Sequence, residues 1–186
     1  LDLFRRLERE CERQGFDLLR AQVRMNAAYV HFLRADFDPA LRDLAAATDY
    51  FRRTSHPAFL ASCLLNRAEV YHQLNLHVDA RELAAEAAAT FAAEALRYDR
   101  ALALSQGAMA ALALGEPALS GIREARSLFR QEANPSRAAL MELLWARALG
   151  GAGRRSSSRG PAAARARRAR DEFRRLRLLR WEAEAA

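Results

Sequence analysis

The chain has 186 residues and a formal net charge of +7, long enough to bury a core as one domain or one elongated array. Its 42 Ala and 28 Leu stand against four Val, one Ile and three Thr, too few β-branched residues to fill a sheet, so an all-α fold is expected. No window approaches 18 uncharged apolar residues, which argues against a membrane-spanning helix, and the charged opening LDLFRRLERECERQG argues against a signal peptide.

Apolar spacing and turn residues place helices at roughly 1–15, 17–34, 38–54, 57–75, 78–95, 98–114, 117–132, 135–149 and 161–176, with a further one beginning near Leu178. A stripe such as Leu41, Leu44, Thr48 and Phe51 gives each helix one apolar face. All five prolines read as first helical residues, where the missing N–H costs nothing, and Asp38 and Asn134 read as N-caps before Pro39 and Pro135. Gly115 and the Gly150, Gly151 and Gly153 group read as C-caps.

A repeat runs through this map. Ala28, Ala68 and Ala108 lie 40 apart; Ala35, Asn75 and Gly115 follow where a helix should end, and Ala40, Ala80 and Ser120 follow inside the next helix. A late aromatic recurs at Phe51, Phe91, Phe129 and Phe173, with Cys11 in the partial first copy. A helical hairpin cannot bury its inner face alone, so stacked hairpins are expected to share one core. The small Ala lets paired helices approach, and the aromatic closes the gap at their far end.

Small, small, aromatic in this order resembles the tetratricopeptide repeat, with a period near 40 in place of the usual 34. The resemblance implies a right-handed solenoid of antiparallel helical hairpins over residues 1–149. A flexible Gly/Ser/Arg insertion at 150–160 and an Arg-rich terminal segment at 161–186 complete the chain. The run ARARRARDEFRRLRLLRWEAEAA after an Arg-, Ala- and Leu-rich array is also similar to the N-terminal region of bacterial CHAT-domain proteins. Those are caspase-like peptidases whose catalytic domain follows such an array. No initiator Met is present, so the chain is expected to be a piece of something longer, and the caspase-like His and Cys would lie elsewhere.

Catalytic signatures are missing. His31, His56, His72 and His77 show no metal spacing among themselves or with Cys11 and Cys63, and no GxSxG, P-loop or GxGxxG occurs. No enzyme activity, cofactor or metal is expected of this fragment. The two cysteines share no motif and read as small buried apolar residues in a cytoplasmic protein.

Binding signals are stronger. Asn26, Asn66 and Gln106 stand 40 apart, two residues before the small Ala. The tetratricopeptide resemblance implies that this place faces a concave groove, where an amide reads a peptide backbone through its donor and acceptor. The alternative is that these amides cap or bridge helices. The same face is expected to carry Gln22, Met25, Tyr29, Phe32, Leu65, Glu69, His72, Met109 and Leu112, which suits a peptide or protein segment with apolar anchors, or the parent protein's own catalytic domain.

Charge divides unevenly. Residues 1–149 hold 19 Arg and 19 acids, whereas residues 150–186 hold 11 Arg and 4 acids. Arg165, Arg167, Arg168, Arg170, Arg174, Arg175, Arg177 and Arg180 could neutralise phosphates of a nucleic acid. The favoured reading makes them the solvated face of a terminal helix, since Trp181 alone is no stacking platform.

Overall fold

The computed structural model describes residues 1–151, 159–178 and 185. Its helices are α1 (Asp2–Gln14), α2 (Asp17–Leu33), α3 (Phe37–Arg53), α4 (Pro57–Gln73), α5 (His77–Ala93), α6 (Arg97–Ala113), α7 (Leu119–Gln131), α8 (Pro135–Gly151) and α9 (Arg159–Arg175). Among the described residues there is no strand. The all-α class stands. The expected helix beyond Leu178 falls outside the described residues.

The chain divides into two compact units, Leu1–Ala95 and Leu96–Ala186. In the first, α1 to α5 pack each on the next, and α2 also touches α4; in the second, α6 to α9 do the same, and α6 touches α8. Consecutive packing through short turns is the stacked-hairpin arrangement that the repeat predicts.

The turns explain the period. Gly15, Ala35, Ser55, Asn75, Ala95 and Gly115 all have positive φ, between 54° and 71°, and stand 20 residues apart. In most of these turns the next N–H reaches back five residues, as from Asp36 to the His31 carbonyl (2.9 Å) and from Leu76 to Tyr71 (2.8 Å). This satisfies carbonyls that a helix end leaves bare. Only two of the six are Gly, so four residues with a Cβ hold a conformation that costs roughly 1–2 kcal/mol each.

The core follows the predicted register. Phe51, Phe91, Phe129 and Phe173 are at most 1% exposed, Ala28 and Ala68 are fully buried, and Ala108 is buried. Cys11 occupies the equivalent place in the first copy and is buried too. Phe51 stacks on Phe59 with centroids 5.1 Å apart, and Phe129 meets Tyr98 edge-on at 5.9 Å. Truncating such a ring to Ala costs about 3–5 kcal/mol.

Several local expectations need correction. Pro57 and Pro135 do open α4 and α8, but Pro39 and Pro161 sit third in their helices and Pro117 lies two residues before α7. Pro39 and Pro161 still fit, because the first four N–H groups of a helix have no partner inside it. Asp38 therefore lies inside α3, whereas Asn134 caps α8 as expected, its Oδ1 accepting from the Arg137 N–H at 3.1 Å. Gly150 and Gly151 continue α8, and Gly153 is outside the described residues. The helix α7 has 13 residues where α2 to α6 have 17 each. Counted back from its buried Phe129, the place of Ala40 and Ala80 falls to buried Ala118, and Ser120 is exposed.

Candidate functional site

On α2 the predicted face splits in two. Gln22 is half-buried and Asn26 exposed, and they lie in one row with Leu18, Tyr29 and Leu33, whose exposures are 38%, 45% and 65%. Met25 and Phe32, expected on that face, instead pack against the core formed by Ala21, Ala28, Ala40 and Leu44. They sit on the side of α2 that α3 covers. Phe32 lies 6.1 Å from Tyr29 and 6.5 Å from Phe37, centroid to centroid, so the exposed Tyr29 rests on a half-buried neighbour.

The helix α4 carries the matching row. Asn66, Glu69 and His72 are half-buried, and Leu65, expected beside them, is buried. Every residue from Ala58 to His72 is at least half covered, because α3 and α5 flank this helix and α2 touches it. The row on α2 and the row on α4 lie at equivalent positions of adjacent helices within the first unit.

The third amide does not follow. Gln106 is 4% exposed and engaged, and Met109 and Leu112 pack against the core of the second unit. The helix α7 closes over this part of α6: a Cβ added at Gly121 would stand 3.6 Å from the Leu104 carbonyl and 3.9 Å from the Ala108 Cβ. Gln106 is thus buried under α7, whereas Asn26 is exposed.

His72 and His77 come together across the α4–α5 turn, ring centroids 4.9 Å apart, with neither Nδ1 hydrogen-bonded. Burial lowers the His72 pKa, and the charge of His77 adds to the shift. Among the described residues no group of three or more potential ligands could hold a metal ion. Cys63 is buried and free; desolvation pushes its thiol up to about 12, against a smaller lowering by the Thr48 hydroxyl.

A cleft of about 350 Å³ in the first unit lies between α1, α2 and α3, lined among others by Phe4, Glu8, Arg24, His31, Arg42 and Asp43. Arg24 Nε pairs with Glu8 at 2.5 Å, and His31 Nε2 stands 4.0 Å from Asp43. Burial raises the Asp43 pKa, partly offset by His31.

The second unit holds a polar centre that sequence reasoning missed. Glu142 of α8 is 5% exposed. Its Oε1 lies 2.5 Å from Arg126 Nε of α7, as an ion pair without hydrogen-bond alignment. Its Oε2 accepts from Arg165 Nη1 of α9 at 2.6 Å. The Arg165 guanidinium lies over Trp145, 3.3 Å from the ring centroid. One signal was legible: Glu142 is the single acid in the apolar run ALMELLWARAL, and a lone acid on a buried face demands a partner.

The tail arginines are thereby sorted. Arg165 faces inward, Arg170 and Arg175 stand by Asp171 and Glu172, and Arg174 is engaged. Arg167, Arg168 and Arg177 are exposed, while Arg180 is outside the described residues. No helix among the described residues is long and apolar enough to cross a membrane. The chain matches no known family, no curated protein and no solved structure.

Proposed function

We propose that the chain is a protein-interaction module that takes a peptide or protein segment onto the α2–α4 face of its first unit. The observation that carries this reading is the row Leu18, Gln22, Asn26, Tyr29 and Leu33. Two leucines and a tyrosine stay exposed beside two amides, on a helix whose other face is packed. Such a row supplies apolar anchors and main-chain recognition together. Asn66 and Glu69 on α4 border it and set which segment fits. The resemblance to CHAT-domain proteins extends the proposal: in such a protein, filling this face would release an adjoining peptidase domain. The inward turn of Arg165 supports a structural role for much of the Arg-rich end, against nucleic-acid binding.

The test is selection of peptides on the full chain, followed by titration of Tyr29→Ala, Leu33→Ala and Asn26→Ala. Each truncated side chain is exposed or nearly so, and melting should change by no more than about 0.5 kcal/mol. Loss of the selected peptides on these variants, with stability kept, is the expected result. Peptides that bind all three variants as well as the parent chain would overturn the assignment of the face.

A further inference from the structure

We propose that Arg123, Arg126 and Arg130 of α7 and Arg165 of α9, gathered around Trp145 and Glu142, form a binding site for a multivalent phosphate, free or carried by a nucleotide. The site lies in the second unit and is independent of the α2–α4 face.

Three guanidinium carbons stand 4.9, 5.9 and 3.3 Å from the Trp145 centroid, those of Arg123, Arg126 and Arg165. The fourth guanidinium, that of Arg130, places Nη2 3.9 Å from Glu142 Oε1. On α7 the positions 123, 126 and 130 share one helix face. Three of the four cations thus face one carboxylate, whose two oxygens are already taken by Arg126 and Arg165, and the remaining one, Arg123, lies on the indole. The nearest other acid on α7, Glu124, is engaged by Arg100.

Two of the four cations are left with donors turned outward. The Arg130 side chain is 60% exposed, and Arg123 is exposed with its guanidinium on the indole. Each guanidinium carries five N–H donors in a rigid fork that fits phosphate oxygens two at a time. A single carboxylate would leave most of the excess charge in place, whereas a di- or triphosphate offers several charges and enough oxygens to bridge both outer forks. The crowding is felt within the cluster: burial lowers the Arg126 pKa and Glu142 opposes the shift, while the charges of Arg130 and Arg165 add to it.

Trp145 reports on the site directly. In the full chain carrying Trp181→Phe it is the single indole, and its emission can be titrated with sodium pyrophosphate against sodium chloride at equal ionic strength. The expected result is a saturable change with pyrophosphate and none with chloride. Arg123→Gln with Arg130→Gln should weaken binding at least about tenfold, whereas removing the same charge at exposed Arg167 and Arg168 should change it less than about twofold. Circular dichroism checks the helicity of both pairs. The Lys pair, Arg123→Lys with Arg130→Lys, keeps the charge without the fork and should bind at an intermediate level. A nucleoside diphosphate that binds more tightly than pyrophosphate assigns the phosphate to a nucleotide, and equal affinity assigns it to a free anion. Equal responses to chloride and pyrophosphate, or equal losses in the 123/130 and 167/168 pairs, would overturn the proposal.

Discussion

Replacing Glu142 by Gln tests how the second unit is held together. The change keeps shape and one acceptor but removes the charge that faces Arg126 at 2.5 Å and Arg165 at 2.6 Å. Breaking a fully buried pair from one side costs about 3–5 kcal/mol, because the other charge is left uncompensated. Here the carboxylate side chain is 7% exposed, but Arg126 and Arg165 keep 21% and 22% and can turn partly to water. Arg165 also retains Trp145 beneath it. The loss should therefore fall at or below the lower end of that range, about 2–3 kcal/mol, which lowers the melting temperature by roughly 4–12 °C for a chain of this length. Urea unfolding followed by circular dichroism measures it. A companion variant, Arg165→Met, closes a double-mutant cycle in which the two losses should be strongly non-additive. A cost below about 0.5 kcal/mol for Glu142→Gln, within the range of ordinary surface changes, would refute the view that this carboxylate ties α7, α8 and α9.

Three further outcomes follow from single features. Ala95 holds φ at 56°, so Ala95→Gly should stabilise the chain by about 0.5–1 kcal/mol in urea unfolding, less what the freer unfolded chain returns; destabilisation would mean that the turn is not strained. The Cys63 thiol, pushed up to about 12 by burial, should be alkylated at pH 8 only as fast as the protein opens, read by mass spectrometry with and without urea, and immediate labelling contradicts this. His72 has its pKa lowered in the folded chain, so near pH 6.5 the unfolded chain binds a proton that the folded ring refuses. Stability should fall as pH drops through that value and level off once the folded ring protonates as well. His77→Gln should move the NMR titration of His72 back towards the ordinary value, and a His72 that titrates at or above 6.5 in the parent chain would contradict the assignment.

Much of the architecture was legible because it repeats. A buried aromatic must return to the same place in each hairpin, so Phe51, Phe91, Phe129 and Phe173 mark one structural position across both units. Ala28, Ala68 and Ala108 mark the close approach of paired helices in the same way. The candidate face was less legible. Periodicity states that Asn26, Asn66 and Gln106 are equivalent along the chain, but exposure depends on what lies beyond each helix. Asn26 stands at the open side of α2, Asn66 on a helix flanked on both sides, and Gln106 where α7 closes over α6 through Gly121. Met25 and Phe32 show the same limit within one helix, since a position one residue, about 100°, from the exposed row already meets the core. The Glu142 centre required three helices to be placed before its partners could be named.

The turn register shows why the repeat is 40 residues long. A helix of 17 residues spans about 25 Å, and α2 to α5 of the first unit, all of this length, pack each on the next. Each then needs only three residues to reverse, one of them left-handed. Ala35, Ser55 and Asn75 serve where Gly would be easier, so the geometry of these turns comes from the packed helices on either side more than from the turn's own preference. Where a helix length changes, the register must slip. The 13-residue α7 does this: its buried Ala118 and Phe129 both come two residues earlier than the 40-residue register set by Ala80 and Phe91, and keep their spacing of 11. It is also the helix that contributes Arg123, Arg126 and Arg130 to one face. The departure from the repeat and the concentration of charge thus fall on the same element, and that element carries the chemistry a regular repeat would not supply.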